Sequence, residues 1–84
     1  KFKVGVVAYP VAFQVYADFV DDYPQRKLEE TVKPLGFKYD DLLPLLRNHN
    51  KQKLFFDHCH PLAVTNDMVA QELVSFVSRE FLEK

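Results

Sequence analysis

The sequence predicts an α/β protein with a parallel sheet, and three observations lead to this fold class. Residues 2–9 form a near-continuous apolar run rich in Val, which is typical of a strand buried on both faces of a parallel sheet. A helical pattern and a second short apolar run follow it. Residues 66–82 then place apolar side chains at helical spacing. Strands that alternate with helices in this order are typical of a parallel α/β sheet.

The elements between these two ends are predicted in chain order. Residues 11–23 are rich in aromatic side chains and favour a short helix or an irregular packed segment. Residues 24–35 are predicted to form an amphipathic helix that begins with a proline and is ended by Gly36. Residues 37–43 are the second candidate strand. Residues 47–53 are predicted to form a polar loop.

Composition limits the function classes. The chain has 84 residues, 48% hydrophobic residues and a formal net charge of -1, which together fit one globular domain at most. Its Lys and Arg residues are dispersed, which argues against a nucleic-acid partner. No apolar run approaches the roughly 20 residues that span a bilayer. One cysteine excludes an intrachain disulfide, and no feature indicates a compartment.

Two parallel strands would leave sheet faces and edges uncovered, so the pattern predicts additional strands. A companion N-terminal segment or a second copy of the chain would supply them. The chain also starts at Lys1, without Met, directly before an apolar segment. We therefore expect residues 1–84 to be the C-terminal portion of a single larger domain.

The stretch with the clearest chemical content is Asp-His-Cys-His-Pro at residues 57–61. Asp57 and His60 are three residues apart, and a turn across such a pair brings their Cα atoms within about 7 Å. The carboxylate can then bind Nδ1 of the imidazole and leave Nε2 free to accept a proton. Pro61 favours an extended backbone at His60. Spacing alone favours an ordinary polar turn, in which Asp57 bonds the backbone and His60 is exposed or packed.

The wider segment, LFFDHCHPLAVTNDMVAQELVSFV, resembles the C-terminal block of the SGNH (GDSL-like) hydrolases. That block contains Asp-x-x-His-Pro followed by a helix with an Ala and apolar positions. The matching residues are Asp57, His60, Pro61, Val69 and Ala70. Upstream, the buried strand that ends at Tyr9–Pro10, the DYPQ stretch with its helix, and the strand leading to DLLP fit the same pattern, so the resemblance covers essentially the whole chain.

The resemblance implies a partial flavodoxin-like three-layer fold around a parallel sheet. It also implies a serine ester hydrolase of the esterase, lipase or acetylesterase kind, which acts on an acyl ester and requires no cofactor. In this family Asp57 would be the orienting acid and His60 the general base. An alternative from another class is a non-catalytic small α/β interaction module, because a fold alone does not determine function.

The remaining parts of such an active site are missing from the sequence. The family's nucleophile lies in an early Gly-Asp-Ser motif, whereas Ser75 and Ser78 both lie in the last predicted helix. No Gly-x-Asn-Asp context is present to supply an oxyanion hole. The Gly-His that often follows the block is replaced by Thr65-Asn66. We therefore expect the isolated chain to be inactive and the serine to lie on an additional segment.

A metal site is a rival hypothesis for the same loop. His58, Cys59 and His60 are adjacent, Asp57 and His49 are close in sequence, and all are possible zinc ligands. Adjacent residues converge on one ion only with strain, so the prediction is no native metal. Under this prediction His58 is exposed and Cys59 is a small buried packing residue.

Two other patterns permit a functional or a structural interpretation. Asp40 and Asp41 are either a pair of acid–base carboxylates or a strand-end turn in which one carboxylate bonds backbone donors. Phe13, Tyr16 and Phe19 either line an acyl or sugar pocket or pack in the core. The structural interpretation is preferred for both.

Overall fold

The computed structural model describes residues 3–82 and shows a mixed α/β chain with a two-stranded parallel sheet. The strands are β1 (Gly5–Ala8) and β2 (Lys38–Asp41). The helices are α1 (Ala12–Tyr16), α2 (Tyr23–Val32), α3 (Leu43–Arg47) and α4 (Ala63–Val77), with a 3₁₀ turn at Lys33–Leu35 and a π-helical turn at Ser78–Leu82.

The sheet confirms the predicted parallel pairing. β1 pairs with β2 in a register that runs from Gly5 opposite Lys38 to Ala8 opposite Asp41. The N–H of Leu42 donates to the carbonyl of Ala8 at 3.0 Å and extends the ladder beyond β2. Parallel strands need a crossover connection, and α2 lies within it. The observed β1 is shorter than the predicted strand, whose Phe2 lies outside the described residues.

Successive residues of β2 contact different helices because side chains alternate between the two faces of a strand. The hydroxyl of Tyr39 donates to the backbone carbonyl of Gln25 in α2 at 2.9 Å. Nζ of Lys38 lies 3.7 Å from a carboxylate oxygen of Glu80 in the π-helical turn. The short strand is therefore held between two helical segments by polar contacts.

Gly5 permits the close approach of the C-terminal helical segment to β1. A Cβ atom at this position would lie 3.0 Å from the ring of Phe76 and 3.2 Å from the ring of Phe81. These rings pack edge to face, with centroids 5.9 Å apart. A side chain at Gly5 would displace them, so the glycine in this strand is explained by packing.

The main core lies where α1, α3, the segment before residue 56 and the first half of α4 meet. Its residues are Ala12, Val15, Leu42, Leu43, Leu46, Leu54, Phe55 and Val69. The guanidinium of Arg47 adds two 2.8 Å hydrogen bonds to the carbonyls of Gln14 and Ala17, which satisfy acceptors at the end of α1. The segments that directly follow β1 and β2 are therefore both packed in this core.

The prediction that the first strand is buried on both faces is wrong for the described chain. Val4 and Val7 are exposed, and only Ala8 of β1 is buried. The physical reason is that within residues 3–82 a single strand pairs with β1, so one edge and much of one face remain uncovered. The segment therefore has more apolar side chains than this packing buries.

The prediction that Phe13, Tyr16 and Phe19 form a core stripe is also wrong. Phe13 is 72% exposed and Phe19 is 89% exposed. α1 ends at Tyr16 and buries the face that carries Ala12 and Val15, so the aromatic side chains at 13 and 19 point away from the core. Of these three side chains, only Tyr16 is hydrogen-bonded to the core segment: its hydroxyl accepts a 2.7 Å hydrogen bond from the N–H of Leu54.

The observed helices differ from the predicted helices mainly at their boundaries. Gly36 has φ +82° and ends the 3₁₀ turn after α2, as its position predicts. α4 starts at Ala63, three residues before the predicted start. α3 was not predicted, although Pro44 in its first turn is a helix-start signal. Among residues 3–82, no helix combines the length and the apolar character that crossing a bilayer would require.

Candidate functional site

The candidate site is a closed loop, residues 55–61, whose two ends are joined by backbone hydrogen bonds. Phe55 and Pro61 form an isolated antiparallel bridge. The N–H of Phe56 donates to the carbonyl of His60 at 2.7 Å. Outside the bridge, the N–H of Leu62 donates to the carbonyl of Leu54 at 2.8 Å. The two ends of the loop are therefore held together, and residues 57–60 lie at its exposed tip.

Two contacts attach this loop to the rest of the fold. The N–H of Ala12, at the start of α1, donates to the carbonyl of His58 at 2.8 Å. The buried hydroxyl of Thr65 donates to the carbonyl of Leu54. Because α1 directly follows β1, the loop lies near the carboxyl end of the sheet, where α/β proteins commonly place their sites.

Within the loop, Asp57 and His60 are in direct contact. Nδ1 of His60 lies 2.9 Å from Oδ2 and 3.0 Å from Oδ1 of Asp57. The His60 side chain is 70% exposed, and that of Asp57 is about half exposed. With a proton on Nδ1, the ring donates to the carboxylate, and Nε2 carries the free lone pair. The spacing argument predicted this contact at the same ring nitrogen.

The carboxylate of Asp57 also orders the loop backbone. Its Oδ1 accepts the N–H groups of Cys59 and His60, both at 3.0 Å. These bonds hold the pKa of Asp57 well below its ordinary range, with the Cys59 N–H as the largest cause and the His60 ring next. The carboxylate is therefore ionised at neutral pH and faces His60 as a fixed anion.

No nucleophile accompanies this pair in the described part of the chain. Ser75 lies twelve residues after the start of α4, about 18 Å along the helix axis, and Ser78 lies farther still. The thiol of Cys59 is 3.7 Å from His60, but it approaches Nδ1, the nitrogen that Asp57 occupies. It is not placed to pass a proton to Nε2.

The metal-ligand types in the loop are arranged differently from the sequence hypothesis. Donor atoms of Asp57, His58 and Cys59 lie within 4.8 Å of one another. His49 lies outside this group and contacts the carbonyl of Leu45 at 3.1 Å. The prediction that Cys59 is buried is wrong, because its backbone is on the exposed turn and its side chain points to solvent. His58 is exposed, as expected.

The second carboxylate pair, Asp40 and Asp41, separates into two environments. Oδ1 of Asp41 accepts the N–H of Leu43 at 3.0 Å, which is the strand-end turn that was preferred. Asp40 points towards α4, and its Oδ2 is buried without a hydrogen-bond partner. Burial is the largest cause that raises the pKa of Asp40 to about 6, followed by the hydrogen bond that a protonated Asp40 can make with Glu72 and by the charge of Glu72.

Asp40→Asn is therefore expected to change how stability depends on pH. The folded-state pKa of Asp40 exceeds its unfolded value, so the folded chain binds this proton more tightly. The resulting stabilisation is complete below about pH 4 and is lost as pH rises through about 6. The variant should be more stable than the original chain at pH 7, with a difference that shrinks towards pH 4, as measured by urea unfolding.

Asp18→Asn is the matched control for this measurement, because Asp18 is exposed between α1 and α2. It should leave the slope of stability against pH unchanged between pH 4 and 7. If Asp40→Asn gave the same slope as the original chain, the pKa of Asp40 would not be raised in the folded state.

The loop and the adjoining start of α1 each carry an exposed aromatic side chain. Phe56 immediately precedes Asp57 and is 70% exposed, and Phe13 follows the Ala12 that bonds His58. Large exposed apolar groups in one region are characteristic of binding surfaces. The pocket interpretation of the aromatic segment is thus compatible with the exposure of Phe13, whereas the core interpretation is not.

Comparison of the chain with models of known protein families, with curated proteins and with solved structures found no match. The functional argument therefore depends on the loop itself. Sequence reasoning identified Asp57 and His60, but it missed the attachment through Ala12 and Thr65. A backbone N–H carries no sequence signal, and Thr65 lies inside the first turn of α4, where its partner Leu54 is eleven residues away in the sequence.

Proposed function

We propose that this chain provides the Asp–His half of a serine-hydrolase active site of the SGNH type, which acts on an acyl ester. The observation that carries the proposal is the 2.9 Å contact between Nδ1 of His60 and Asp57, with the ring exposed. A carboxylate on Nδ1 and a solvent-facing Nε2 are the geometry of a general base awaiting a nucleophile.

In this mechanism Nε2 of His60 removes the hydroxyl proton of a serine as its oxygen attacks the ester carbonyl. The resulting imidazolium is stabilised by the anionic carboxylate of Asp57. His60 then donates the proton to the departing alcohol, and an acyl-serine remains. Water is activated by the same nitrogen in the second half-reaction, which releases the acid. None of these steps needs a cofactor.

The serine is proposed to lie outside the 84 residues, on a companion segment that also extends the sheet. Within residues 3–82, β1 has one unpaired edge, and Val4 and Val7 are exposed apolar residues; further strands would cover both. A second copy of the chain would cover the same surface but would add only another Ser75 and Ser78. The companion segment is therefore the preferred partner, and with it the fold becomes the three-layer flavodoxin-like sheet.

The exposed rings of Phe13 and Phe56 are proposed to contact the apolar part of the ester. They lie on the two segments that are joined by the Ala12–His58 hydrogen bond. Aromatic surface of this kind binds acyl chains by removing apolar area from water. This favours an ester with an acyl chain longer than acetyl.

Labelling with a fluorophosphonate probe, followed by denaturing mass spectrometry and peptide mapping, tests the proposal on the protein purified under native conditions. We expect one adduct, on a serine outside residues 1–84, in a polypeptide that contains or accompanies this chain. Heat-denatured protein is the control and should not react. An adduct confined to Ser75 or Ser78, or no adduct on any copurifying polypeptide, would contradict the proposal and favour the interaction module.

A further inference from the structure

We infer that the loop is also a binding site for a thiophilic divalent cation such as Zn²⁺, with Asp57, His58 and Cys59 as its ligands. These three residues offer a carboxylate oxygen, an imidazole nitrogen and a sulfur, all within 4.8 Å of one another. Zn²⁺ accepts this mixture of ligand types, and three protein ligands with an open fourth position form a common arrangement.

The sequence led us to expect that adjacent residues converge on one ion only with strain, but their donor atoms already lie within 4.8 Å of one another, so small side-chain movements suffice. Ligand atoms around a tetrahedral Zn²⁺ lie about 3.5 Å apart, given the usual metal–ligand bond lengths. His58 and Cys59 are exposed, so their side chains can rotate towards the carboxylate of Asp57. The ring of His58 has no hydrogen bond within residues 3–82 that a cation would have to displace, and the thiol of Cys59 has only the 3.7 Å contact with His60. Closing the site therefore breaks no strong interaction.

Asp57 is already held in position for this role. Its Oδ1 accepts two backbone N–H groups, and the ring of His60 contacts the same carboxylate. A carboxylate offers about four lone-pair sites, so one remains after these three contacts. The anchored anion would be the first ligand, and the mobile side chains of His58 and Cys59 would complete the site.

Occupancy of the site would affect the neighbouring base, because the cation and the His60 ring share one carboxylate. A positive ion on Asp57 weakens the support that the carboxylate gives to a charged imidazole. A hydrolase built on this pair would therefore be inhibited by Zn²⁺. This consequence rests on the proposed function, whereas the cation site itself does not.

Titration of the 84-residue chain with Co²⁺, under a reductant that does not bind metal, tests the site without any measurement of activity. We expect a thiolate-to-cobalt absorption band that saturates at one ion per chain and is reversed by Zn²⁺. Cys59→Ser should abolish the band, and His58→Ala or Asp57→Asn should weaken binding by at least about tenfold, since even outer-shell changes cost that much.

His49→Ala is the matched control, because it removes an exposed histidine that lies outside the cluster, and its titration should equal that of the original chain. Circular dichroism verifies that each variant is folded. Saturation at one ion per two chains, a Cys59→Ser titration equal to the original, or no band at millimolar Co²⁺ would each overturn the site. Because binding is measured directly, these outcomes are independent of whether a serine adduct forms.

Discussion

If the proposed hydrolase function holds, replacing His60 with Ala in the complete enzyme is expected to reduce kcat by about 10⁵- to 10⁶-fold, the loss typical of removing a triad base. Nε2 of His60 is the proposed proton acceptor, and no other imidazole contacts Asp57 within residues 3–82. Stability should change little, because the side chain is 70% exposed and its removal leaves the backbone bond between Phe56 and His60 in place. Steady-state ester hydrolysis and urea unfolding measure the two quantities.

His49→Ala is the matched control, since His49 is an exposed histidine that lies outside the loop and contacts the carbonyl of Leu45. It should retain ester hydrolysis. Asp57→Ala should lower kcat by less than His60→Ala, by about 10⁴-fold, because the acid assists the base and does not itself receive the proton. Turnover that survived His60→Ala would remove this residue from the mechanism.

Leu46→Ala is expected to cause a large loss of stability. Leu46 is fully buried and belongs to the core cluster that holds α1, α3 and α4 together. Truncating a buried Leu costs about 2–5 kcal/mol, because it removes apolar burial and leaves a cavity. A domain of this size has a total free energy of unfolding of about 4–13 kcal/mol. Urea unfolding followed by circular dichroism should show a strongly lowered midpoint.

Leu35→Ala makes the same chemical change at a side chain that is 63% exposed, and it should shift the unfolding midpoint only slightly. Equal losses from the two substitutions would mean that the core cluster does not determine stability. The Leu46→Ala substitution should also make the candidate loop more mobile, because Leu54 and Phe55 at the base of the loop belong to the same core cluster. Faster amide exchange at residues 55–61 would report this coupling.

The sequence was sufficient to predict structural features that depend on contacts between residues close in the chain. The Asp57–His60 contact spans three residues, so the turn and the two side-chain lengths determine it before any packing occurs. The end of the helical segment at Gly36 follows from a positive φ that glycine adopts without strain. The parallel pairing of β1 and β2 followed from the strand–helix–strand order.

Boundaries were less well determined because neighbouring segments compete for the same residues. The predicted second strand included Leu43, which instead begins α3 with a proline in its first turn. α4 starts at Ala63 because Leu54 provides an acceptor for Thr65, a contact between residues eleven positions apart. Neither the acceptor nor its distance is visible in local propensity.

Burial was decided by the tertiary structure alone. Helical spacing placed Phe13 and Phe19 in a core stripe, but only one face of the short α1 is covered, and it carries Ala12 and Val15. Cys59 was expected inside because free cysteines usually are buried, yet the loop holds it in solvent. The chain has more apolar side chains than the two strands and four helices of residues 3–82 can bury. Composition alone therefore does not determine which of these side chains remain exposed.

The sequence by itself determined the chemistry of the loop, because the residue types and the short spacing of Asp57 and His60 define their contact. Only the tertiary structure decided where that pair lies. The hydrogen bond from Ala12 to His58 joins segments that are far apart in sequence and brings the loop to the carboxyl end of β1. The pairing of Asp40 with α4 arises in the same way. Such contacts depend on which distant surfaces pack together, and that choice is made by the whole fold.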